Sequence, residues 1–324
     1  MPKAIRFYQT GIPDVLRWED VAVGEPGEGQ ARVRHTAIGV NLIDTYFRSG
    51  LYLVQLPSGL GNEAAGVVEA VGPGVTVVKP GDRVVYAGGM LGSYSESRLL
   101  PAHLLVPIPE GISDHTAAAV MLKGMTAQYL IRRTYPVKAG ETVLFYAAAG
   151  GVGLIACQWI KALGAIVIGT VGSDEKAAVA RAHGCDHVIV STREDIAKRV
   201  REITGGAGVP VVYDSVGKDT FQTSLDCLKP LGLMVSFGNA SGKVTPFDLG
   251  VLAQKGSLYL TRPTLATYTA TRMDLESTAR DVFDVIRNGM VKVEVRHTYP
   301  LVEAARVHRE LEGRRTVGSV VMTP

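Results

Sequence analysis

The chain has 324 residues, with 46% hydrophobic and 20% charged side chains, which is long enough to bury two cores and unlike a disordered segment. Its formal charge is +3, and adjacent basic residues occur only as pairs such as Arg132/Arg133 and Arg314/Arg315, so no nucleic-acid partner is expected. Three cysteines (Cys157, Cys185, Cys227) lie far apart without CxxC spacing. No apolar run reaches the roughly 18 residues of a membrane helix, and the N-terminal MPKAIRFYQT carries no export signal. These features predict a cytoplasmic protein with no membrane partner, whose thiols are reduced and buried.

From Lys3 to Pro109 the chain runs through short β-branched stretches, AIRF, ARVRHTAIGV, AGVVEAVG, DRVVYA and HLLVPIP, separated by the turns PGEG, GPG and KPGD. This texture predicts an all-β, barrel-like domain. After Asp114, AAAVMLKGMTAQYLIRR has helical spacing, and strands and helices then alternate. Strands are expected at VLFYA, IVIGTV, HVIV, PVVYD, LMVSFG and SLYLT, with helices near 151–163, 174–183, 193–203 and 218–228, giving an α/β doubly wound sheet of six parallel strands. Gly164 and Gly184 are placed to end two of those helices. The tail from Met273 reads as a helix, a VKVEV strand, the helix VEAARVHRELEG and a final SVVMT strand, too short to fold alone. The expected domains are therefore 1–122 completed by 263–324, and 123–262.

Strand VLFYA runs into Ala147-Ala148-Ala149-Gly150-Gly151-Val152-Gly153 and then a helix, the strand-turn-helix context of a dinucleotide fingerprint. Gly150 suits the tight turn, Gly151 and Val152 offer backbone to a pyrophosphate at the helix N-terminus, and Gly153 allows close helix–strand approach. About 20 residues beyond the first glycine, an Asp or Glu would select NAD. Here the strand tip carries Gly172 and Ser173, and Lys176 stands one helical step further. That favours NADPH, with Ser173 and Lys176 meeting the 2′-phosphate. Two alternatives stand beside it: Ser173 as a plain helix cap, and Asp174 as a ribose ligand favouring NAD.

These residues resemble the zinc-independent quinone oxidoreductases of the medium-chain dehydrogenase/reductase superfamily, the ζ-crystallin type. The family signature stands here as Leu144, Ala148, Ala149, Gly150, Gly151, Gly153, Gln158 and Lys161. The likeness continues through GVNLIDTYFRSGLY, LPSGLGNEAAGVVEAVG, VVYDSVG and GLMVSFGNASG to the C-terminus. It implies a GroES-like β-barrel catalytic domain beside a Rossmann NADPH-binding domain, a quinone substrate and a homodimer in which SLYLT pairs with its two-fold mate.

Zinc-dependent members of the superfamily have Cys where this chain has Asn41 and His where it has Asn62, so no metal is expected. The resemblance places Asn41, Tyr46 and Tyr52 at the reacting centre. It sets Lys123, Thr126 and Tyr129 along the cofactor phosphates and ribose, and Phe237, Gly238 and Asn239 near the nicotinamide. Arg314 or its neighbour Arg315 would reach the cofactor. Where the family commonly carries an adenine-stacking Tyr, this chain has Ser191, with Arg193 nearby as a partial replacement. Asp44 and Arg48 are expected to pair locally, Glu63 to be structural, and the histidines, including His35, His103 and His115, to lie on the surface or in turns. Two other activities fit the same residues, reduction of α,β-unsaturated carbonyls and a non-catalytic NADPH-binding role of crystallin or RNA-associated type.

Overall fold

A computed structural model describes residues Met1–Pro324. Strands β1 (Lys3–Phe7), β2 (Arg17–Asp20) and β3 (Gln30–Val40) precede helix α1 (Leu42–Ser49). Strands β4 (Ser58–Gly59), β5 (Glu63–Val71), β6 (Arg83–Ala87), β7 (Ser97–Pro101) and β8 (Val106–Pro107) follow it. Every pairing among these eight strands is antiparallel, and inward apolar residues such as Val33, Ile38, Ala64, Val84 and Leu100 make one core.

The expected strand over HLLVPIP shrinks to two residues. Pro107 and Pro109 have no N–H to give a ladder, and the Arg272 guanidinium holds the carbonyls of His103 and Leu105 at 2.8 and 2.6 Å. Helix α2 (Asp114–Tyr129) passes into one wider turn over Leu130–Thr134, where Tyr135 N–H donates to Leu130 O at 3.1 Å.

Next come β9 (Thr142–Phe145), α3 (Gly151–Ala162), β10 (Ile166–Val171), α4 (Asp174–Ala182), β11 (His187–Val190), α5 (Ile196–Ile203), β12 (Val209–Asp214), α6 (Phe221–Asp226), β13 (Leu228–Ser236), α7 (Gly250–Gln254), β14 (Tyr259–Thr261) and α8 (Leu265–Tyr268). The six strands form one parallel sheet in the order β11-β10-β9-β12-β13-β14. This is the doubly wound arrangement, with its order reversing between β9 and β12, and ligands bind beyond the carboxyl ends of strands at such a reversal. Gly164 and Gly184, two residues past the ends of α3 and α4, take φ of +83° and +96°, the left-handed backbone that lets each helix stop.

The tail forms α9 (Arg272–Arg287), β15 (Val295–Pro300), α10 (Ala304–Glu312) and β16 (Ser319–Thr323). Strand β16 lies between β15 and β3, antiparallel to β3. The expected VKVEV strand is displaced to Val295–Pro300. Gln158 explains this, because its amide accepts from Lys292 N–H and donates to Lys292 O, both at 3.0 Å, which takes that backbone out of any ladder. Two compact units result. One comprises Met1–Met125, Thr269–Arg287 and Val293–Pro324, the other Thr126–Tyr268 and Asn288–Lys292. No helix is long and apolar enough to cross a membrane.

Candidate active site

In the first unit, Asn41 ends β3 and opens α1, and its surroundings are a buried polar network. The Asn41 Nδ2 donates to Glu63 Oε2 at 2.8 Å, and Lys123 Nζ reaches the same oxygen at 3.2 Å. Glu63 Oε1 accepts from Leu122 N–H at 2.6 Å. A second carboxylate, Asp44, accepts from Asn41 N–H at 2.9 Å, Tyr94 O–H at 3.0 Å and, on its other oxygen, Asn62 Nδ2 at 2.8 Å. Asp44 and Glu63 are wholly enclosed, so each needs these donors. Burial pushes the Asp44 carboxyl up to about 6, against the opposing pull of Asn62, Asn41, Tyr94 and Lys123.

The expected Asp44–Arg48 pair is not formed. Arg48 instead binds Glu312 on α10 and the Gly11 carbonyl, because Asp44 at the start of α1 is already committed to the network. The histidine expectation also fails for His35 on β3 and His308 on α10, both buried, while His183 stands in the turn after α4. His35 Nδ1 lies 2.7 Å from Ser95 O and Nε2 3.0 Å from the Tyr86 hydroxyl. His308 Nε2 lies 3.2 Å from the Tyr94 hydroxyl. With the Tyr94 proton given to Asp44, His308 presents Nε2–H to the phenol oxygen, leaving Nδ1 an acceptor without a protein partner. Burial holds these rings neutral, lowering His35 to about 4 and His308 to about 3.

Tyr46 sits on α1, and its carbonyl accepts from Tyr52 N–H at 3.0 Å across the Gly50 turn. The two rings meet edge to face at 5.3 Å between centroids, and Phe47 meets Tyr52 at 5.6 Å. Asn41, Tyr46 and Tyr52 thus share one local segment braced by Asp44. Lys123 and Thr126 are buried on α2, Lys123 with its ammonium against Glu63. Tyr129 is buried too, stacked on Tyr268 at 4.5 Å. Arg314 follows α10 with φ of 57°.

In the second unit the parallel order brings four segments to the carboxyl edge of the sheet: Gly150–Gly153 after β9, Gly172–Lys176 after β10, Ser191–Arg193 after β11 and Phe237–Asn239 after β13. Ala147 takes φ of 52° to start the first turn. A Cβ on Gly153 would stand 2.4 Å from Ala147 O, so α3 packs against the turn only because that position has no side chain. Gly150, the residue preceding α3, offers no capping side chain, so the first amides of a 12-residue helix face outward uncapped, the arrangement that receives a pyrophosphate. The three cysteines are buried and free.

Ser173 precedes α4 and its Oγ accepts from Lys176 N–H at 3.4 Å, so it does cap the helix. Arg193 forks onto Asp174. Phe237 packs on Phe145 at 5.7 Å, and Asn239 is buried. Sequence reading does not reveal Tyr94 and His308 as part of the site, since nothing local in GSYSES or VHREL marks them. The His of that second stretch within an apolar helical stripe is the one available signal.

The Asn41 and Asn62 amides each donate to a carboxylate, and no group of three or more His, Cys, Asp or Glu is arranged to hold a metal ion. Residues 27–110 match the family described as Alcohol dehydrogenase GroES-like domain, and residues 151–276 that described as Zinc-binding dehydrogenase. A quinone oxidoreductase of Pseudomonas aeruginosa is 57% identical with both chains covered in full. A 2-haloacrylate reductase of a Burkholderia species is 48% identical, covering 100% of this chain and 99% of its own. The crystal structure of Escherichia coli quinone oxidoreductase complexed with NADPH superposes with a TM-score of 0.98 at 52% identity, over 99% of this chain and 100% of that one. Over its full length, then, the chain belongs to the quinone oxidoreductase family of the medium-chain dehydrogenase/reductase superfamily.

Proposed function

We propose that this enzyme reduces quinones with NADPH by direct hydride transfer, without zinc, as a cytosolic homodimer. The observation that carries the reading is the donor set around Asn41: two amides tied to Glu63 and Asp44 stand where a metal-using relative needs thiolate and imidazole. Amide groups give a substrate hydrogen bonds, not the Lewis acid or strong base that ionising an alcohol requires. A quinone carbonyl already accepts hydride, and hydrogen bonds suffice to steady the oxygen on which charge develops.

Bound NADPH supplies the hydride, and a proton from solvent completes the hydroquinone. Residues Gly150–Gly153 hold the pyrophosphate, Ser173 and Lys176 the 2′-phosphate, Ser191 borders the adenosine with Arg193 held on Asp174 beside it, and Phe237–Asn239 with Thr126 and Tyr129 border the nicotinamide half. Arg314 adds positive charge. The Asn41 amide has a second N–H beyond the one given to Glu63, and it donates to the substrate oxygen while Tyr46 and Tyr52 supply hydroxyls and ring surface. Lys123 serves by fixing Glu63, and through it Asn41.

The 2-haloacrylate relative supports a second reading, hydride addition to an alkene conjugated with a carbonyl group. Loss of NADPH absorbance measured with 1,4-benzoquinone, an alkenal and a 2-haloacrylate under matched conditions separates the two. Higher kcat/KM for the quinone is expected. Turnover of only the unsaturated carbonyls replaces the first reading with the second, and no turnover of any acceptor leaves a cofactor-binding role.

A further inference from the structure

We propose that Arg193 sets cofactor preference by masking the Asp174 carboxylate, not by touching the cofactor's phosphate. The inference rests on the NADPH reading above. Two loop segments are fastened together at the sheet edge. Ser191 N–H and Oγ both donate to Val171 O, at 2.9 and 3.1 Å, and Thr192 Oγ1 donates to Gly172 O at 3.4 Å. This fastening brings Arg193 to the first residue of α4, where Nη2 donates to Asp174 Oδ1 at 2.6 Å and Nη1 to Oδ2. The guanidinium hydrogen bonds hold the Asp174 carboxyl below its usual range, so it stays ionised and paired.

An acid three residues past the end of the second parallel strand has two consequences for a nucleotide. It accepts hydrogen bonds from a ribose diol, and it repels a 2′-phosphate that carries close to two negative charges. The Arg193 fork takes one lone pair on each Asp174 oxygen and offsets its charge, which weakens both consequences. The strand tip beside it is open, since a side chain added at Gly172 would meet no heavy atom within 4 Å. A phosphate-accepting edge is thus compatible with an acid in the very segment where one would otherwise select NAD.

The test is to titrate the parent, Arg193→Ala and the double variant Arg193→Ala/Asp174→Asn with NADPH and NADH by fluorescence at fixed ionic strength. Both groups are exposed, so folding is not at stake. Unmasking one carboxylate should weaken NADPH binding by about tenfold while NADH binds equally or more tightly. The double variant, as neutral at this edge as the parent pair, should return NADPH binding to about twofold of the parent. If the double variant stays as weak as Arg193→Ala, Arg193 contacts the phosphate itself and the proposal is wrong. Equal losses for both cofactors in Arg193→Ala would mean that it packs on the adenine instead. A parent that binds NADH as tightly as NADPH would overturn the NADPH reading itself, and this inference with it.

Discussion

Lys123 Nζ lies 3.2 Å from Glu63 Oε2 with side-chain exposures of 6% and 0%, an ion pair shut inside the first unit. Enclosed pairs are unforgiving of half-removal, because the survivor keeps its desolvation penalty without its partner. Lys123→Met should therefore destabilise the fold by about 3–5 kcal/mol, and adding Glu63→Gln should recover part of that loss. Urea unfolding of both variants measures it. Unchanged stability with weakened NADPH binding would instead give Lys123 the phosphate role that the family resemblance implies.

The second unit is far more legible in the sequence than the network around Lys123. Strands buried on both faces by flanking helices read as continuous β-branched runs, and IVIGTV and HVIV coincide with β10 and β11 residue for residue. The glycine turn is legible for a related reason, since Gly153 fills a spot that rejects any side chain. The network is not, because its bonds join residues far apart: Tyr94 is 50 positions from Asp44 and 214 from His308. Asp44 and Arg48 sit four apart on α1, a spacing that suggests an ion pair, yet each finds a better partner that only tertiary structure supplies. Strand β15 is misplaced in the sequence reading for the same cause, a side chain of α3 claiming the backbone of Lys292.

Purified protein should contain far less than stoichiometric zinc, and quinone reduction should survive prolonged dialysis against a chelator. Each of the Asn41 and Asn62 amides already spends an N–H on a carboxylate, and turning either residue to face a cation would leave Glu63 or Asp44 short of a donor. Stoichiometric metal by elemental analysis, together with activity lost to the chelator and restored by zinc, would defeat the metal-free reading.

Strand β14 is paired only to β13, leaving its outer edge as an unpaired ladder on which Tyr259 is 61% exposed. Such edges invite a second strand. Light scattering at micromolar concentration should give twice the 34.5 kDa of one chain or a multiple of that dimer. Tyr259→Lys, which sets like charges across the two-fold contact, should shift the protein toward monomer. A monomeric parent removes the homodimer from the proposal.

Lys176, in the first turn of α4, should matter for one cofactor only. A partly exposed charge-assisted contact with the 2′-phosphate is worth roughly 1.5–3 kcal/mol, so Lys176→Ala should weaken NADPH binding by about one to two orders of magnitude. NADH binding should barely move. The contrast should also shrink at high salt, since the contact is screened. Equal losses for NADH and NADPH would place Lys176 at the pyrophosphate or in support of the helix.

His308 should make the fold sensitive to mild acid. Its native pKa is lowered to about 3 and that of His35 to about 4, both by burial, against an unfolded value near 6.5. Between those limits the unfolded chain binds two protons that the native chain does not, so stability present above about 6.5 is lost as pH falls. Asp44 acts oppositely: raised to about 6 in the fold, it gives the native state an extra proton over much of the same range. Near pH 5 the three groups together leave the unfolded state roughly one proton ahead, so stability should drop by about 1.4 kcal/mol per pH unit on acidification. His308→Gln keeps an amide donor for Tyr94 but cannot titrate, which should bring that contribution near zero. Urea midpoints for parent and variant from pH 7 to pH 4 supply the measurement, and the difference between the two curves cancels every group they share. Parallel curves would show that His308 takes up its proton inside the fold, through an Nδ1 that solvent reaches.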